Sequence, residues 1–360
     1  MPPKHELALG PAVPVDQIAA ALARLREELA RKNGDPNALR VCTLNLVAFC
    51  HDEPRCAEAL DVLSSMVSEH PGRLFLVHAL PDADSHVLEA HVAVDGVPLG
   101  VGVPPTYSEL IDLTASGPEV EFLPSVLTAL LESDQPACAW WATPPTFGPT
   151  WQRMAHVCDR MVVDTAQLDP WDLMRLAAFV KGDDHAALGD LNWARVKPFM
   201  ALCARFFQSP RVRERCASVA QVEVHHAPPA GAATAVGPAM LGAWVVDRLS
   251  ACARLARVEV SPRVVLVRSA RSDLAPGEVA ELVLRGEGAE PLELSVLRPP
   301  GSQSAVAEAR AGVTGLPPQR QRLHRGVRWL LAQELQTYGR DPLFERALLH
   351  AIDILREARR

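Results

Sequence analysis

The chain has 360 residues, 48% of them hydrophobic, which is enough to bury sizeable cores and predicts two domains. Its formal net charge of -7 argues against a general nucleic-acid-binding protein, because such proteins neutralise phosphates with an excess of Lys and Arg. The apolar runs fall far short of the roughly 20 residues that span a bilayer and the start of the chain lacks an export-signal pattern, so we predict a cytoplasmic protein without membrane contact.

The first half of the chain alternates helix-like and strand-like segments. A continuous apolar run over 41–50 is typical of a strand buried on both faces. Asp95-Gly96 predicts the turn of a hairpin between strands 87–94 and 97–103, because Asp-Gly tolerates the positive φ angles of a tight turn. Further elements are predicted as helices 16–32, 54–67, 119–133 and 150–158 and strands 74–80, 109–114, 137–142 and 161–163. This order predicts a mixed α/β sheet flanked by helices.

The second half has a different pattern. The polar segment 181–189 predicts a boundary loop, so we place an N-terminal domain at 1–182 and a C-terminal domain at 183–360. The C-terminal domain is predicted to be α+β, with antiparallel strands and two final helices. Its predicted elements are helix 198–207, strand 219–224, helix 236–254, strands 258–268, 278–285, 291–298 and 304–310, and helices 317–338 and 342–358.

Catalytic motifs are missing from the sequence. It has no phosphate-binding loop, no nucleophile elbow and no H-E-x-x-H zinc motif. Gly100-Val101-Gly102 lacks the third glycine of a dinucleotide fingerprint, and the turn that follows Cys50 has no glycine at all. We therefore predict a protein that is not an enzyme and needs no cofactor.

Metal binding is also not expected. The eight cysteines include no C-x-x-C pair, and most are interpreted as buried thiols, with a regulatory thiol left open for the crowded Cys50 and Cys56. His225 and His226 would point to opposite faces of a strand, so they cannot easily share one ion. The Asp183-Asp184-His185 cluster is interpreted as a solvated loop.

Short segments along the chain resemble the OpcA family over roughly residues 38–250. They are, in order, Asn45-Leu46-Val47, His70-Pro71-Gly72-Arg73, Ser108-Glu109-Leu110-Ile111, Leu123-Pro124-Ser125, Asp134-Gln135-Pro136, Trp140-Trp141, Asp159-Arg160, Val163-Asp164 and Asp190-Leu191-Asn192-Trp193-Ala194-Arg195. Members of the family are assembly and allosteric factors for glucose-6-phosphate dehydrogenase. The chain departs from the family where a second Trp-Arg pair is usual, since Phe199-Met200 stands there.

The resemblance implies a non-catalytic partner of glucose-6-phosphate dehydrogenase in the oxidative pentose phosphate pathway, acting as an assembly factor or allosteric activator. The alternative is an enzyme or sensor that binds a sugar phosphate or nucleotide outside the strand ends.

Aromatic and charged residues inside the family-like segments are the first candidates for partner contact, because Trp and Arg dominate interface energetics. They are Trp140, Trp141, Asp190, Asn192, Trp193 and Arg195. For the Trp140-Trp141 pair a core position is the other interpretation. In an extended segment Trp193 and Arg195 would share one face, as a contact or anion site. The other interpretation is an internal pair of Arg195 with Asp190 or Asp159.

A basic cluster near the C-terminus is the second candidate. Arg322, Arg325 and Arg328 follow one another at three-residue spacing, which on a helix places them near one stripe. Such a stripe could dock on an acidic surface of the partner, or it could be a solvated helix face.

Overall fold

Strands and helices alternate through most of the molecule. The computed structural model describes residues 9–33, 42–67, 70–97, 106–182, 186–255, 257–288, 291–311, 316–337 and 339–358. The helices are α1 (Ile18–Asn33), α2 (Glu53–Met66), α3 (Leu123–Leu130), α4 (Pro149–Val157), α5 (Pro170–Lys181), α6 (Leu191–Phe206), α7 (Pro210–Arg213), α8 (Val236–Leu255), α9 (Val327–Glu334) and α10 (Pro342–Glu357). The strands are β1 (Asn45–Cys50), β2 (Arg73–Leu80), β3 (Leu88–Val97), β4 (Thr106–Ser116), β5 (Ala137–Trp141), β6 (Arg160–Val163), β7 (Ala187–Asp190), β8 (Val219–His226), β9 (Arg263–Arg268), β10 (Val279–Gly286), β11 (Leu292–Leu297), β12 (Ser304–Ala311) and β13 (Gln319–Arg322).

Two compact units make up the protein, and each is assembled from separate stretches of chain. Unit 1 comprises Met1–Val163, Asp183–Gly189 and Leu331–Arg340. Unit 2 comprises Asp164–Gly182, Asp190–Leu330 and Asp341–Arg360. The units therefore interleave along the sequence, unlike the continuous domains 1–182 and 183–360 expected from the sequence.

Unit 1 is built on a seven-stranded sheet with the order β3-β4-β2-β1-β5-β6-β7. From β4 through β6 the paired strands run parallel, and β3 pairs antiparallel with β4. Every residue of β1, β5 and β6 is buried, as the continuous apolar runs predict for strands covered on both faces. The predicted α/β fold class is confirmed.

The hairpin of unit 1 differs from its prediction. Asp95 and Gly96 lie inside β3, opposite Ser108 and Tyr107 of β4. The turn predicted at Asp95-Gly96 was therefore wrong, and most of the predicted strand 97–103 lies outside the described residues. Apolar and β-branched residues continue on both sides of this dipeptide, and the pairing of β3 with β4 extends through it. The segment 109–114 is the middle of β4 and not a separate strand.

Unit 2 contains a six-stranded sheet with the order β13-β12-β11-β10-β8-β9. Neighbours are antiparallel except β8 and β9, which run parallel with α8 as the crossover between them. The four strand-like runs after residue 257 and the last helix are confirmed. The predicted helix 317–338 is wrong, because 319–322 add the edge strand β13 and the helix α9 starts only at Val327.

Helix starts in both units use the same local chemistry. Asp52, Asp169 and Asp341 each accept hydrogen bonds from the first free backbone N–H groups of α2, α5 and α10, and a proline follows in each first turn. The predicted boundary loop 181–189 is partly wrong, because 187–190 form the buried strand β7. The Asp183-Asp184-His185 cluster lies outside the described residues. Among the residues described here, no helix is long and apolar enough to cross a bilayer.

Candidate functional site

The segment Asp190 to Arg195 begins a helix and is not extended. Asp190 caps α6 by accepting a 2.9 Å hydrogen bond from the backbone N–H of Asn192. The predicted helix 198–207 had the wrong start, because α6 begins at Leu191 and Pro198 lies inside it. Residues two apart on a helix point about 200° apart, so Trp193 and Arg195 cannot share a face. The expected joint contact of these two side chains is therefore ruled out.

Asp190 is fully buried at the centre of a hydrogen-bond network in unit 2. It accepts hydrogen bonds from the backbone N–H of Thr165 at 3.0 Å and from the Thr165 hydroxyl at 2.7 Å. Burial, and secondly the negative charge of Asp164, raise the pKa of Asp190 to about 7, while its hydrogen bonds act in the opposite direction. This carboxyl group holds the chain after β6 against the start of α6 and is out of reach of a partner.

Arg195 forms an internal ion pair. Its Nη1 and Nη2 donate to the two carboxylate oxygens of Asp164 at 2.6 and 2.7 Å. Although burial works against the charged form, Asp164 raises the pKa of Arg195 above its usual value. An internal partner was one of the two interpretations, but Asp190 and Asp159 were the wrong partners, since Asp159 accepts the backbone N–H of Ala137. The pair fixes the turn that leads into α5.

Asn192 and Trp193 complete the internal contacts. With its oxygen turned to the backbone, the Asn192 amide accepts from the N–H groups of Ala166 at 3.3 Å and Gly237 at 3.1 Å. A Cβ at Gly237 would lie 2.5 Å from a terminal atom of the Asn192 amide, so a larger residue there would displace this amide. Trp193 packs on Phe344 and donates from Nε1 to Asp341 at 3.3 Å. Both residues connect elements within unit 2.

Replacing Arg195 with Ala should therefore destabilise the fold. The change leaves the carboxylate of Asp164, which is 8% exposed, without its bidentate partner beside buried Asp190. We expect the free energy of unfolding in urea to fall by about 1–3 kcal/mol. Arg205→Ala on the same helix is the control, because Arg205 is exposed and bonds Gln319. Equal stability of the Arg195 and Arg205 variants would contradict the internal role.

Trp140 and Trp141 are both 3% exposed, so neither ring reaches the surface as an interface anchor. Trp141 stacks on Phe49 with ring centroids 4.5 Å apart, and Trp151 lies 4.7 Å away on a tilted plane. The Nε1 of Trp140 is buried without a hydrogen-bond partner among the described residues. The core interpretation of the Trp-Trp pair agrees with this geometry.

The basic cluster does not form a helical stripe. Arg322 ends the strand β13, and Arg328 lies in the first turn of α9. Between them, Arg325 pairs with Glu278 of the same unit. The three arginines lie in a strand, in the irregular segment after it and in a helix, so the single helical stripe predicted from their spacing was wrong.

An exposed aromatic surface on α5 was missed by the sequence analysis. Trp171 is 77% exposed and Met174, one turn later, is 39% exposed. They line a groove of about 390 Å³ together with Ile352 and Leu355 of α10 and with Arg356, whose Nη2 lies 3.0 Å from the sulfur of Met174. We call these five residues the Trp171 surface. Trp, Met and Arg are the residue types enriched in protein interfaces.

The signal for this surface is present in the sequence. Leu173, Leu176, Ala177 and Val180 form the buried stripe of α5. Trp171 and Met174 lie outside that stripe, where an amphipathic helix normally carries polar residues. A large aromatic side chain on the solvent side of a helix is a better contact signal than one in a buried strand.

A buried ion pair in unit 1 was also missed. Arg160 and Glu334 are 3% and 2% exposed, and Nη2 of Arg160 lies 2.6 Å from Oε2 of Glu334. Nη1 of Arg160 donates to the carbonyl of Gly339 at 3.0 Å. A Cβ at Gly189 would lie 2.8 Å from the Glu334 carboxylate, so glycine lets β7 approach the pair. The pair is separated by 174 positions in the sequence and no local pattern predicts it.

A cleft of about 300 Å³ opens in unit 1 at the carboxyl ends of the parallel strands. It lies at β1 and β5, between which the strand order changes direction, and this is where ligands of open α/β sheets commonly bind. Its lining includes Phe49, His51, Trp141, Thr150 and Glu121. None of the described lining residues is Lys or Arg, which disfavours a phosphate-bearing ligand.

The cysteines form a disulfide or are buried or half-buried thiols, and they do not form a metal site among the described residues. Cys50 and Cys56 form the disulfide, so they are not buried free thiols, and the regulatory role left open for this pair stays a prediction. Burial raises the pKa of Cys138 and of Cys203 to about 12, which keeps both thiols neutral. Within the described part of the chain, no group of three or more His, Cys, Asp or Glu is placed to hold a metal ion.

Comparison with known proteins gives two family matches. A model described as the N-terminal domain of a glucose-6-phosphate dehydrogenase subunit matches residues 64–178. A second model, described as the C-terminal domain of that subunit, matches residues 186–348. Together they match well over half of the chain, and the segment between them includes the predicted boundary at 182/183.

Curated relatives are cyanobacterial proteins. The OxPP cycle protein OpcA of Nostoc punctiforme is 29% identical over 121 residues, which are 33% of this chain and 26% of the relative. The OpcA protein of Synechocystis is 29% identical over 121 residues, covering 33% and 25% of the two chains. That of Synechococcus elongatus is 28% identical over 146 residues, covering 39% and 31%. The matched region thus spans a third or less of each relative.

Proposed function

Because the chain belongs to the OpcA family, we propose that it binds glucose-6-phosphate dehydrogenase in the cytoplasm as a non-catalytic assembly factor and promotes the active state of that enzyme. Support comes from the two family models, whose descriptions name a subunit of the dehydrogenase. The lack of phosphate-loop, nucleophile-elbow and zinc-protease motifs in the sequence agrees with a non-catalytic role.

The Trp171 surface is the observation that carries the proposal of a protein partner. A side chain as large as Trp that is 77% exposed is costly to leave in water, and burying it against a partner would release a large apolar area. The neighbouring Met174 adapts to irregular shapes, and Arg356 offers a planar charged group at the rim. We place the dehydrogenase on this surface.

The activation follows from differential affinity. A protein that binds the competent form of the dehydrogenase more tightly than the other form shifts the population towards the competent form by that difference and no further. Internal contacts of the Asp164–Arg195 pair hold the turn before α5, so they position the Trp171 surface without touching the partner.

Co-purification with the dehydrogenase of the same organism tests the proposal. We expect a complex on size-exclusion chromatography and a change in the kcat or KM of the dehydrogenase when this protein is added. The measurement should be made under reducing and oxidising conditions, because Cys50 and Cys56 are bonded in the structure. Neither complex nor rate change under both conditions would contradict the proposed function.

The alternative is a small-molecule sensor that uses the cleft of unit 1. A thermal-shift screen with glucose 6-phosphate, NADP and common nucleotides separates the two functions. Stabilisation by one of these compounds without any protein partner would favour the alternative. Since none of the described residues that line the cleft is Lys or Arg, we expect no stabilisation by these anions.

A further inference from the structure

A second pocket lies within unit 2, between the end of α6, the short helix α7 and the middle of α8. Its volume is about 200 Å³. Its walls are formed by Cys203, Ala204, Phe207, Arg213, Trp244, Val245, Arg248, Leu249 and Cys252. The last five come from α8 at spacings of one, four, five and eight residues, so they lie along one side of that helix.

The wall of this pocket is almost entirely apolar. Phe207, Trp244, Val245 and Leu249 contribute rings and branched chains. The thiol of Cys203 adds no charge, because burial raises its pKa to about 12. An occupant must therefore offer apolar surface over most of its length.

The charged side chains that line the pocket are all positive. Both charged lining residues, Arg213 and Arg248, are arginines. The Nε of Arg248 is buried without a hydrogen-bond partner among the described residues, which marks an unused donor. Asp247 pairs with Arg248 at 2.7 Å and also with Arg346 at 3.6 Å, so this one carboxylate is divided between two guanidinium groups. The net charge of the lining residues is therefore positive, which favours an anionic ligand whose oxygens lie in one plane, such as a carboxylate.

We propose that this pocket binds an apolar carboxylic acid, with the carboxylate on Arg248 and Arg213 and the hydrocarbon chain against Phe207, Trp244 and Leu249. The volume sets the size of the acid. An engineered apolar cavity of about 150 Å³ holds benzene, so a pocket of about 200 Å³ takes an acid of roughly eight carbons and no long-chain lipid. This ligand site is independent of the proposed dehydrogenase contact, since it shares no residue with the Trp171 surface.

Octanoate, 1-octanol and octylamine are suitable probes, because they share a chain length and differ in charge. Isothermal titration should show saturable binding of octanoate at one site, with the alcohol at least about 10-fold weaker, since a hydrogen bond to a charged group contributes that factor or more. Octylamine should bind weakest. Octanoate should also change the tryptophan fluorescence of the wild type. In the Trp244→Phe variant most of this change should disappear, although the other six tryptophans remain.

Three variants locate the site. Arg248→Met should weaken octanoate by about 10- to 100-fold and leave 1-octanol unchanged. Ala204→Phe should block both probes, and Ala204 is exposed at the rim, so the larger ring need not disturb the core. Arg254→Met is the control, because Arg254 lies on α8 outside the pocket.

Three results would overturn the proposal. They are the absence of saturable octanoate binding, equal affinity for the acid and the alcohol, and unchanged octanoate affinity in Ala204→Phe. Equal affinity would indicate an apolar slot for a side chain of a protein partner and not an acid site.

Discussion

Replacing Trp171 with Ala is expected to weaken the complex with glucose-6-phosphate dehydrogenase by roughly 30-fold or more, which corresponds to about 2 kcal/mol for an interface hot spot. The side chain is 77% exposed, so its removal should not disturb the fold. Biolayer interferometry with the immobilised dehydrogenase would measure the Kd, and urea unfolding would show unchanged stability of the variant. Met174→Ala should give a smaller loss.

Phe122→Ala is the matched control for this prediction. Phe122 is also a large exposed aromatic residue, at 55%, but it belongs to unit 1 and not to the Trp171 surface. We expect its Kd to stay within a factor of about two of the wild type. If both variants bind like the wild type, the dehydrogenase contacts another face. A larger loss in Phe122→Ala would move the contact to unit 1.

Replacing Glu334 with Ala is expected to lower the free energy of unfolding by about 3–5 kcal/mol, because Arg160 then keeps a buried charge without its carboxylate. This loss is a large fraction of the 5–15 kcal/mol that stabilise a typical protein. Urea titration followed by circular dichroism would measure it. Glu334→Gln keeps a hydrogen-bond acceptor and should fold well enough for measurement if the Ala variant does not.

Two further variants make the test specific. Glu58→Ala removes the partner of Arg55 in an exposed pair, whose side chains are 44% and 67% accessible, and should cost less than about 1 kcal/mol. The double change Arg160→Met with Glu334→Leu should recover most of the stability, since a hydrophobic pair can replace a buried ion pair. A loss in Glu334→Ala no larger than in Glu58→Ala would show that the buried pair is not important for stability.

Elements with a strong local pattern could be predicted from the sequence. The apolar run before Cys50 became β1, and Asp341-Pro342 began α10. Prediction failed where two local signals competed. Asp-Gly favours a turn, but Asp95 and Gly96 pair with β4 and continue the strand β3. Pro198 is a helix-start signal, but Asp190 caps α6 two turns earlier.

The candidate site was harder to predict, because Trp and Arg occur both in contacts with partner proteins and in internal contacts of the fold. Trp193 and Arg195 carry the family resemblance, yet both bind other parts of unit 2. Their partners, Asp341 and Asp164, lie 148 and 31 positions away, and such distant pairings have no local pattern. Trp171 could have been identified by its position outside the apolar stripe of α5.

The interleaved course of the chain has a consequence for how the protein folds during synthesis. Unit 1 takes up Asp183–Gly189 and Leu331–Arg340 in addition to its N-terminal stretch. Its strand β7 is synthesised soon after β6, but its buried acid Glu334 leaves the ribosome long after the whole sheet. Until then Arg160 has no Glu334 carboxylate to pair with, although it is buried in the finished sheet. Unit 1 therefore cannot form its buried Arg160–Glu334 pair until unit 2 has been synthesised through Leu330.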